Sequence, residues 1–147
     1  MNWQLAQINI AKLKAPLHSP LLVDFVAQLD VVNKAAEQAD GFVWRLVGDG
    51  GNATAYRHFG PDFIINMSVW RDVSSLRAYM MSPLHRAVMV QRSKWFEPMD
   101  SPHAALWWVK EGQFPDLQTA DEKLQQLAEY GPKPSAFTFA ASFAPPA

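Results

Sequence analysis

Alternating residue types predict the strands of this chain. Residues 3–12 and residues 63–70 both alternate with the period of a β-strand that has two different faces. One face of these two strands carries polar groups together with large apolar ones: Leu5, Gln7, Asn9, Asn66, Ser68 and Trp70. Residues 42–47 form a shorter predicted strand. Residues 104–109 are apolar on both faces, which is typical of a strand between two packed layers.

Apolar residues at helical spacing, bounded by capping residues, predict the helices. A serine–proline pair at residues 19–20 starts a helix that continues to about residue 39. Asp72 or Ser74 caps a second helix, and another serine–proline pair at residues 82–83 restarts it with a kink and carries it to about residue 96. Residues 119–122 fit a capping box at the start of a further helix.

The predicted elements follow the order β-α-β-β-α-β with one additional helix. This is the split β-α-β arrangement of a ferredoxin-like domain, an α+β fold with one four-stranded antiparallel sheet and helices on one face. We expect the opposite face, with Asn66 and Ser68, to be covered by a second subunit. We predict one domain over residues 1–139, with an added strand at residues 136–139, and a flexible tail over residues 140–147.

Composition removes several classes of function. The chain has 147 residues, 13 basic and 14 acidic side chains and a formal net charge of -1, so no strong field favours nucleic acid or an anionic membrane. The absence of cysteine excludes thiolate catalysis and cysteine-ligated zinc. No apolar segment approaches the roughly 20 residues of a membrane span, so we expect a cytoplasmic protein. Hydrophobic residues at 49% and six tryptophans favour a pocket or a subunit interface.

Polar residues on the predicted sheet and helix are candidates for chemistry. His85 could act as an acid, a base or a haem ligand near neutral pH, or could simply support the helix start after Ser82. Asn9, Asn66 and Ser68 could polarise a carbonyl, a phenol or an oxygen-derived anion through neutral hydrogen bonds. Their alternative role is that of satisfied polar groups at a dimer interface.

Aromatic and basic residues complete the predicted site. Five tryptophans could stack against an aromatic ligand or belong to a core: Trp44, Trp70, Trp95, Trp107 and Trp108. Of these, we assign Trp44, Trp70 and Trp107 to the substrate-binding site. Arg45 could bind a carboxylate or a haem propionate, or could form a salt bridge on the surface or between subunits. His58 and His103 fall in predicted loops without a carboxylate at metal-ligand spacing, so we expect both to be exposed and inert.

Five segments of the chain carry a resemblance to a known family. They read Trp-Gln-Leu-Ala-Gln-Ile-Asn-Ile-Ala from residue 3, Gly-Phe-Val-Trp-Arg-Leu from residue 41, Asn-Met-Ser-Val-Trp-Arg from residue 66, His-Arg from residue 85 and Ala-Leu-Trp-Trp-Val from residue 105. Together they resemble the bacterial family called domain of unknown function 3291, over nearly the whole chain up to about residue 139. The resemblance implies a dimeric α/β barrel and no particular activity.

The strand ending at Trp70, the helix after it and the Ser-Pro-x-His sequence are more distantly similar to antibiotic-biosynthesis-type and haem-degrading monooxygenases. That similarity implies a cavity between helices and sheet in which an asparagine, a tryptophan and a histidine act. Asn9 matches the asparagine of the first strand. The helix tryptophan of those enzymes falls near Tyr79, which we therefore include among the substrate-binding residues. Their haem-ligating histidine falls near Met89, with His85 one turn earlier as its substitute.

Two hypotheses follow from these observations. The first is a homodimer that binds an apolar or aromatic small molecule and catalyses a monooxygenase-type reaction, without flavin or with haem. In it, His85 is the acid, base or haem ligand, and no other metal is bound. The second is a non-catalytic homodimer, either ligand-binding or structural, in which the same residues close the subunit interface. A void of about 300 Å³ or more beside Asn66 and His85 would favour a binding site.

Overall fold

The computed structural model describes residues 2–47, 62–99 and 102–147, and these ranges contain five strands in one antiparallel sheet. The strands are β1 (Trp3–Leu13), β2 (Phe42–Arg45), β3 (Phe63–Trp70), β4 (Phe96–Glu97) and β5 (Ala104–Lys110). On one side of β1 lie β3 and then β2, while β5 and the short β4 pair with different parts of its other edge. The order β2-β3-β1-β5 is that of a ferredoxin-like sheet, so the predicted fold class is confirmed.

The helices begin at capping residues. They are α1 (Val23–Gln38), which follows a 3-10 turn at Pro20–Leu22, α2 (Val73–Met80), α3 (Pro83–Met89), the single turn α4 (Arg92–Trp95) and α5 (Leu117–Tyr130). The Asp72 carboxylate accepts the backbone N–H of Ser75 at 2.8 Å and caps α2. Among the helices of the described ranges, none combines the length and apolar composition needed to cross a membrane.

Two predicted helix boundaries differ from the structure. The helix expected to reach residue 96 is interrupted after α3, and its last residues form α4 and β4 instead. The predicted capping box at residues 119–122 is wrong, because the Asp116 carboxylate accepts the Thr119 N–H at 2.8 Å and α5 starts at Leu117. Both errors concern the choice between neighbouring caps, which short sequence motifs do not resolve.

One face of the sheet, called the polar face from here on, consists of six side chains: Leu5, Gln7, Asn9, Asn66, Ser68 and Trp70. Helices of the same chain cover it, since Ala36 of α1 and Leu76 of α2 pack with Leu5 and Trp70. The prediction that a second subunit covers this face is therefore wrong. Strand alternation identifies the residues that share a face, but it does not show which face the crossover helices take.

The other face of the sheet is apolar and is also covered within the chain. Its core residues are Ala6, Ile8, Ile10, Ile65, Met67 and Val69. Helix α5 packs on them through Ala120, Leu124 and Leu127. Helices α1 to α4 thus occupy one face as expected, while the additional helix α5 supplies a layer on the second face. The homodimer stays a prediction.

The end of the chain is attached to β5. Phe137 and Leu106 exchange two backbone hydrogen bonds of 2.8 Å, which realises the predicted strand at residues 136–139 as an isolated bridge. The indole N–H of Trp108 donates to the carbonyl of Phe143 at 2.9 Å. The chain therefore still contacts the sheet at Phe143, a residue within the predicted tail of residues 140–147.

Candidate functional site

A cavity of about 370 Å³ lies between the polar face and helices α1, α2 and α3. Its volume exceeds the roughly 300 Å³ at which small-molecule sites begin, and it reaches both Asn66 and His85, as the binding-site hypothesis requires. Most lining residues are apolar, among them Phe25, Leu29 and Val32 of α1. The polar and titratable ones are Gln7, Asn9, Asn33, Arg45, Asn66, Ser68, Tyr79, His85, Arg92, His103 and Thr138.

The register of β1 and β3 places the polar side chains side by side. Gln7 is opposite Ser68, and Asn9 is opposite Asn66, in adjacent pairs of the same face. Directly opposed residues on one face have Cβ atoms only about 4.5–5.5 Å apart, which permits side-chain hydrogen bonds across the strands. The predicted residues Asn9, Asn66 and Ser68 are therefore brought together in the structure.

Gln7 is the centre of this polar group. Its side-chain nitrogen donates to Oδ1 of Asn66 and to Oγ of Ser68, both at 2.7 Å, and its Oε1 accepts from Nδ2 of Asn9 at 3.3 Å. Gln7 is 6% exposed, so these bonds replace its contacts with water. Gln7 was missing from the predicted site residues, although its position on the same strand face as Asn9 was the signal that identifies it.

Ser68 presents a hydrogen-bond donor to the cavity. Its Oγ accepts from Gln7 at 2.7 Å and from the indole N–H of Trp70 at 2.8 Å. A hydroxyl has two lone pairs and one hydrogen, so both acceptor positions are used and the hydrogen is left to donate. The Oδ1 of Asn66 is likewise occupied as an acceptor, which leaves its NH₂ group as the donor end. This side of the cavity is therefore suited to a ligand oxygen that accepts hydrogen bonds.

An aromatic wall stands beside the polar group. The rings of Trp70 and Tyr79 are stacked with centroids 5.3 Å apart, and the edge of His85 meets Tyr79 at 5.1 Å. Burial raises the pKa of Tyr79 to about 12, so its hydroxyl stays protonated. That hydroxyl donates to the Val32 carbonyl at 3.0 Å and ties α2 to α1. Tyr79 thus shapes the cavity as predicted for a binding residue and is not available as an acid.

His85 lines the cavity through its imidazole ring. The backbone N–H of His85 donates to the Ser82 hydroxyl at 3.4 Å in the first turn of α3, so the helix start does not use the imidazole. The ring is half-buried, and its Nδ1 is inaccessible and has no hydrogen-bond partner among the described residues. Burial lowers the pKa of His85, although the Met80 carbonyl opposes this. The imidazole is therefore neutral near neutral pH and can accept a proton.

Two predicted cavity residues lie elsewhere. Trp44 is on the apolar face, paired with Val69, and its ring stacks on Phe114 with centroids 5.0 Å apart. Trp107 is 2% exposed and belongs to the core beneath α5. Their placement as cavity walls is therefore wrong. In a strand, adjacent residues point to opposite faces, and Trp107 follows Leu106, whose side chain is on the cavity side.

The basic residues also differ from expectation. Arg45 lines the cavity and forms an ion pair with Glu37 of α1, with Nε and Oε2 3.6 Å apart, so it is a salt bridge within the chain. His103 lines the cavity instead of being inert, because the backbone N–H of Ile10 donates to its carbonyl at 2.8 Å and holds the loop against β1. Its pKa is lowered by burial and by the charge of Arg92. His58 and the turn predicted at residues 48–52 lie outside the described residues.

The residues and the volume of the site do not fit a metal ion or haem. Within residues 2–47, 62–99 and 102–147, no group of three or more His, Asp or Glu side chains could hold a metal ion. For haem, Nδ1 of His85 is inaccessible and therefore does not offer a ligand to the iron. The space does not fit, since about 370 Å³ is near the lower end of the roughly 300–1,000 Å³ range of ligand pockets and a porphyrin with two propionates is a large ligand. We therefore assign no step to haem.

Solved structures similar to this chain include three small proteins of other organisms. A conserved protein from Methanosarcina mazei Go1 is 11% identical with a TM-score of 0.53, over 73% of this chain and 91% of its own. Rv0793 from Mycobacterium tuberculosis is 13% identical with a TM-score of 0.52, over 78% and 98%. SnoaB, a cofactor-independent oxygenase from Streptomyces nogalater, is 12% identical with a TM-score of 0.49, over 77% and 98%. Similarity at these identities shows the fold alone, and the SnoaB match carries no argument about activity.

Sequence comparison gives the family but no activity. No curated protein matches the chain by sequence. Residues 4–147 match one family, so the resemblance found in the sequence is confirmed and continues past residue 139. The chain belongs to the family described as Domain of unknown function (DUF3291).

Proposed function

We propose that the protein binds a small aromatic or apolar molecule that carries a carbonyl or phenolate oxygen. The observation that supports this most directly is the cavity of about 370 Å³ with hydrogen-bond donors on one side and aromatic side chains on the other. A concave, mostly apolar site of this size with a few polar groups is typical of small-molecule binding sites.

The lining determines the chemical type of the ligand. Apolar side chains from α1 and α3, such as Leu29 and Val88, favour a hydrophobic body, because burial of apolar area contributes about 25 cal/mol per Å². On the sheet, the hydroxyl of Ser68 and the NH₂ group of Asn66 can each donate a hydrogen bond to a ligand. A carbonyl or phenolate oxygen is an acceptor and can receive both hydrogen bonds.

Replacement of Ser68 by alanine tests this proposal. The probes are 2-acetylnaphthalene and 2-ethylnaphthalene, which have similar shapes but differ in the carbonyl oxygen. We expect the wild-type protein to bind the ketone about tenfold more tightly, and Ser68→Ala to remove most of this preference, because a neutral hydrogen bond contributes about 0.5–1.5 kcal/mol. Quenching of tryptophan fluorescence measures both affinities, since Trp70 and Trp95 line the cavity.

The matched control is Ser93→Ala, because Ser93 is exposed and does not line the cavity. It should leave both affinities unchanged. Equal binding of ketone and hydrocarbon by the wild-type protein would contradict the role of the donors. Absence of binding by either probe would contradict the proposed cavity ligand itself.

A monooxygenase-type reaction is a second candidate, favoured by the position of His85 in the cavity lining and by burial, which lowers the pKa of its imidazole. In such a reaction, His85 accepts a proton from a CH₂ group of the bound ligand, while Ser68 and Asn66 stabilise the oxyanion that forms on its carbonyl. Molecular oxygen then converts the CH₂ group to a carbonyl. One oxygen atom enters the substrate and the other leaves as water with the two hydrogens, so the substrate supplies the electrons.

Oxygen uptake with anthrone, whose CH₂ group is conjugated to a carbonyl through two rings, tests this second candidate. We expect His85→Ala to lower the rate about 100-fold, the lower range for loss of a general base. Because burial lowers the pKa of His85, wild-type activity should persist below the usual pKa of histidine before protonation removes it. Binding of anthrone without oxygen uptake would leave a ligand-binding protein and contradict the enzyme.

A further inference from the structure

The titratable groups that line the cavity are biased towards positive charge. Among the described residues they are Arg45, Tyr79, His85, Arg92 and His103, with no aspartate or glutamate. The whole chain, in contrast, has 13 basic and 14 acidic residues, so the bias is local. A cavity lined by arginine side chains and by no carboxylate attracts an anionic ligand.

The two arginines of the cavity differ in their partners. Arg45 is at the β2 edge of the polar face, where Glu37 already balances its charge at 3.6 Å. Arg92 of α4 forms no ion pair with any residue in the described ranges. Arginine is the side chain best suited to hold a carboxylate, because its planar group can donate two parallel hydrogen bonds.

Arg92 and His103 both line the cavity, and their segments meet the same edge of β1. The His103 carbonyl accepts the Ile10 N–H, while β4, which directly follows α4, pairs with Lys12 and Leu13. His103 directly precedes β5, next to Ala104, which pairs with Asn9, and it lines the cavity at this end of the strand. A neutral histidine can still donate one N–H to an anion. Arg92 and His103 thus form a donor pair at one end of the cavity, which we call the cationic corner.

We propose that the ligand of this cavity is an aromatic or apolar carboxylate whose carboxyl group is bound at the cationic corner by Arg92 and His103. This inference rests on the proposed function and adds the substrate class. The hydrophobic body of the ligand then lies beneath α1, and its second oxygen, where present, meets the donors of Ser68 and Asn66.

Two probes that differ only in charge test this inference: 2-naphthoate and 2-naphthamide. We expect the wild-type protein to bind the carboxylate about tenfold more tightly, since charge-assisted hydrogen bonds are roughly twice as strong as neutral ones. Arg92→Gln should abolish the preference by weakening carboxylate binding alone, and affinity for the amide should stay within about twofold of the wild-type value. Calorimetric titration at low ionic strength measures both affinities.

Arg86→Gln is the matched control, because Arg86 is an exposed arginine of α3 that does not line the cavity. It should retain the full preference. Equal affinity of the wild-type protein for both probes, or an equal loss of both in Arg92→Gln, would overturn the cationic corner while the proposed function stands. If neither probe binds, the proposed function and the inference both fail.

Discussion

Replacement of Gly41 by alanine is expected to lower the free energy of unfolding by about 2–5 kcal/mol. Gly41 has a φ of +87°, a left-handed conformation that side chains with a Cβ rarely adopt. A Cβ at this position would also overlap with Oγ and Cβ of Ser75 in the first part of α2. The expected loss combines the conformational cost with the displacement of Ser75. Urea unfolding followed by circular dichroism measures it.

Gly112→Ala separates the two contributions. Gly112 has nearly the same φ, +86°, but a Cβ there would meet nothing within 4 Å. Its replacement should therefore cost only the conformational contribution of about 1–2 kcal/mol. If Gly41→Ala lowers the free energy of unfolding no more than Gly112→Ala does, α2 shifts to make room for the added Cβ at no energetic cost.

The contact at Gly41 belongs to a junction between the end of α1 and the start of α2. The Gly41 carbonyl accepts the backbone N–H of Arg71 at 2.7 Å, and the Arg71 guanidinium donates to Asp40 at 3.0 Å and to Ser75 at 3.0 Å. These bonds join the end of α1 to the start of α2, the two helices that roof the polar face. A residue that separates them would change the space above Gln7 and Ser68.

Local patterns predict the longer strands and two of the four expected side-chain caps, those of α2 and α3. The bounds of β3 agree with the predicted residues 63–70. Alternation extends over the whole strand, so several residues contribute to the same prediction. The same alternation put Gln7, Ser68 and Asn66 on one face, and the hydrogen bonds between them follow from it. The Asp72 cap was one of two neighbouring candidates, and its carboxylate makes the observed bond.

Features that depend on distant parts of the chain were not predicted. The polar face was assigned to a subunit interface because alternation carries no information about which layer covers a face. The layer on the apolar face depends on α5, whose Leu124 and Leu127 are more than 50 residues away from Met67 in the sequence. His103 was assigned to a loop, and only the pairing of that loop with Ile10 places it at the cavity.

The candidate site therefore combines predicted residues with residues that folding brings to them. Sequence reasoning found Asn9, Asn66, Ser68 and His85, because polar residues in an otherwise apolar strand or at a helix start are conspicuous. It did not find Arg92, which lies in a single helical turn where the sequence predicts the end of a longer helix. A surface arginine and a cavity arginine have the same local sequence signal, and only tertiary contacts distinguish them.

Replacement of Trp70 by alanine is expected to lower the free energy of unfolding by about 3–5 kcal/mol, the usual cost for removal of a buried aromatic side chain. Trp70 is 1% exposed and contacts Tyr79 and Phe42 with ring centroids 5.3 Å and 5.4 Å away. Its indole N–H also donates to Ser68. Denaturant unfolding measures the loss, and Trp70→Phe should cost less because a ring remains against Tyr79.

Trp44, on the opposite face of the sheet, provides the control for the Trp70 prediction. Trp44→Ala removes a half-buried tryptophan from the apolar face, so it should destabilise the protein less and leave the affinity for 2-acetylnaphthalene unchanged. Trp70→Phe should weaken ketone binding, because Ser68 loses the indole that fixes one of its lone pairs and its hydrogen can then point away from the cavity. Equal effects of Trp44→Ala and Trp70→Phe on ketone affinity would show that the ligand does not bind beside Ser68.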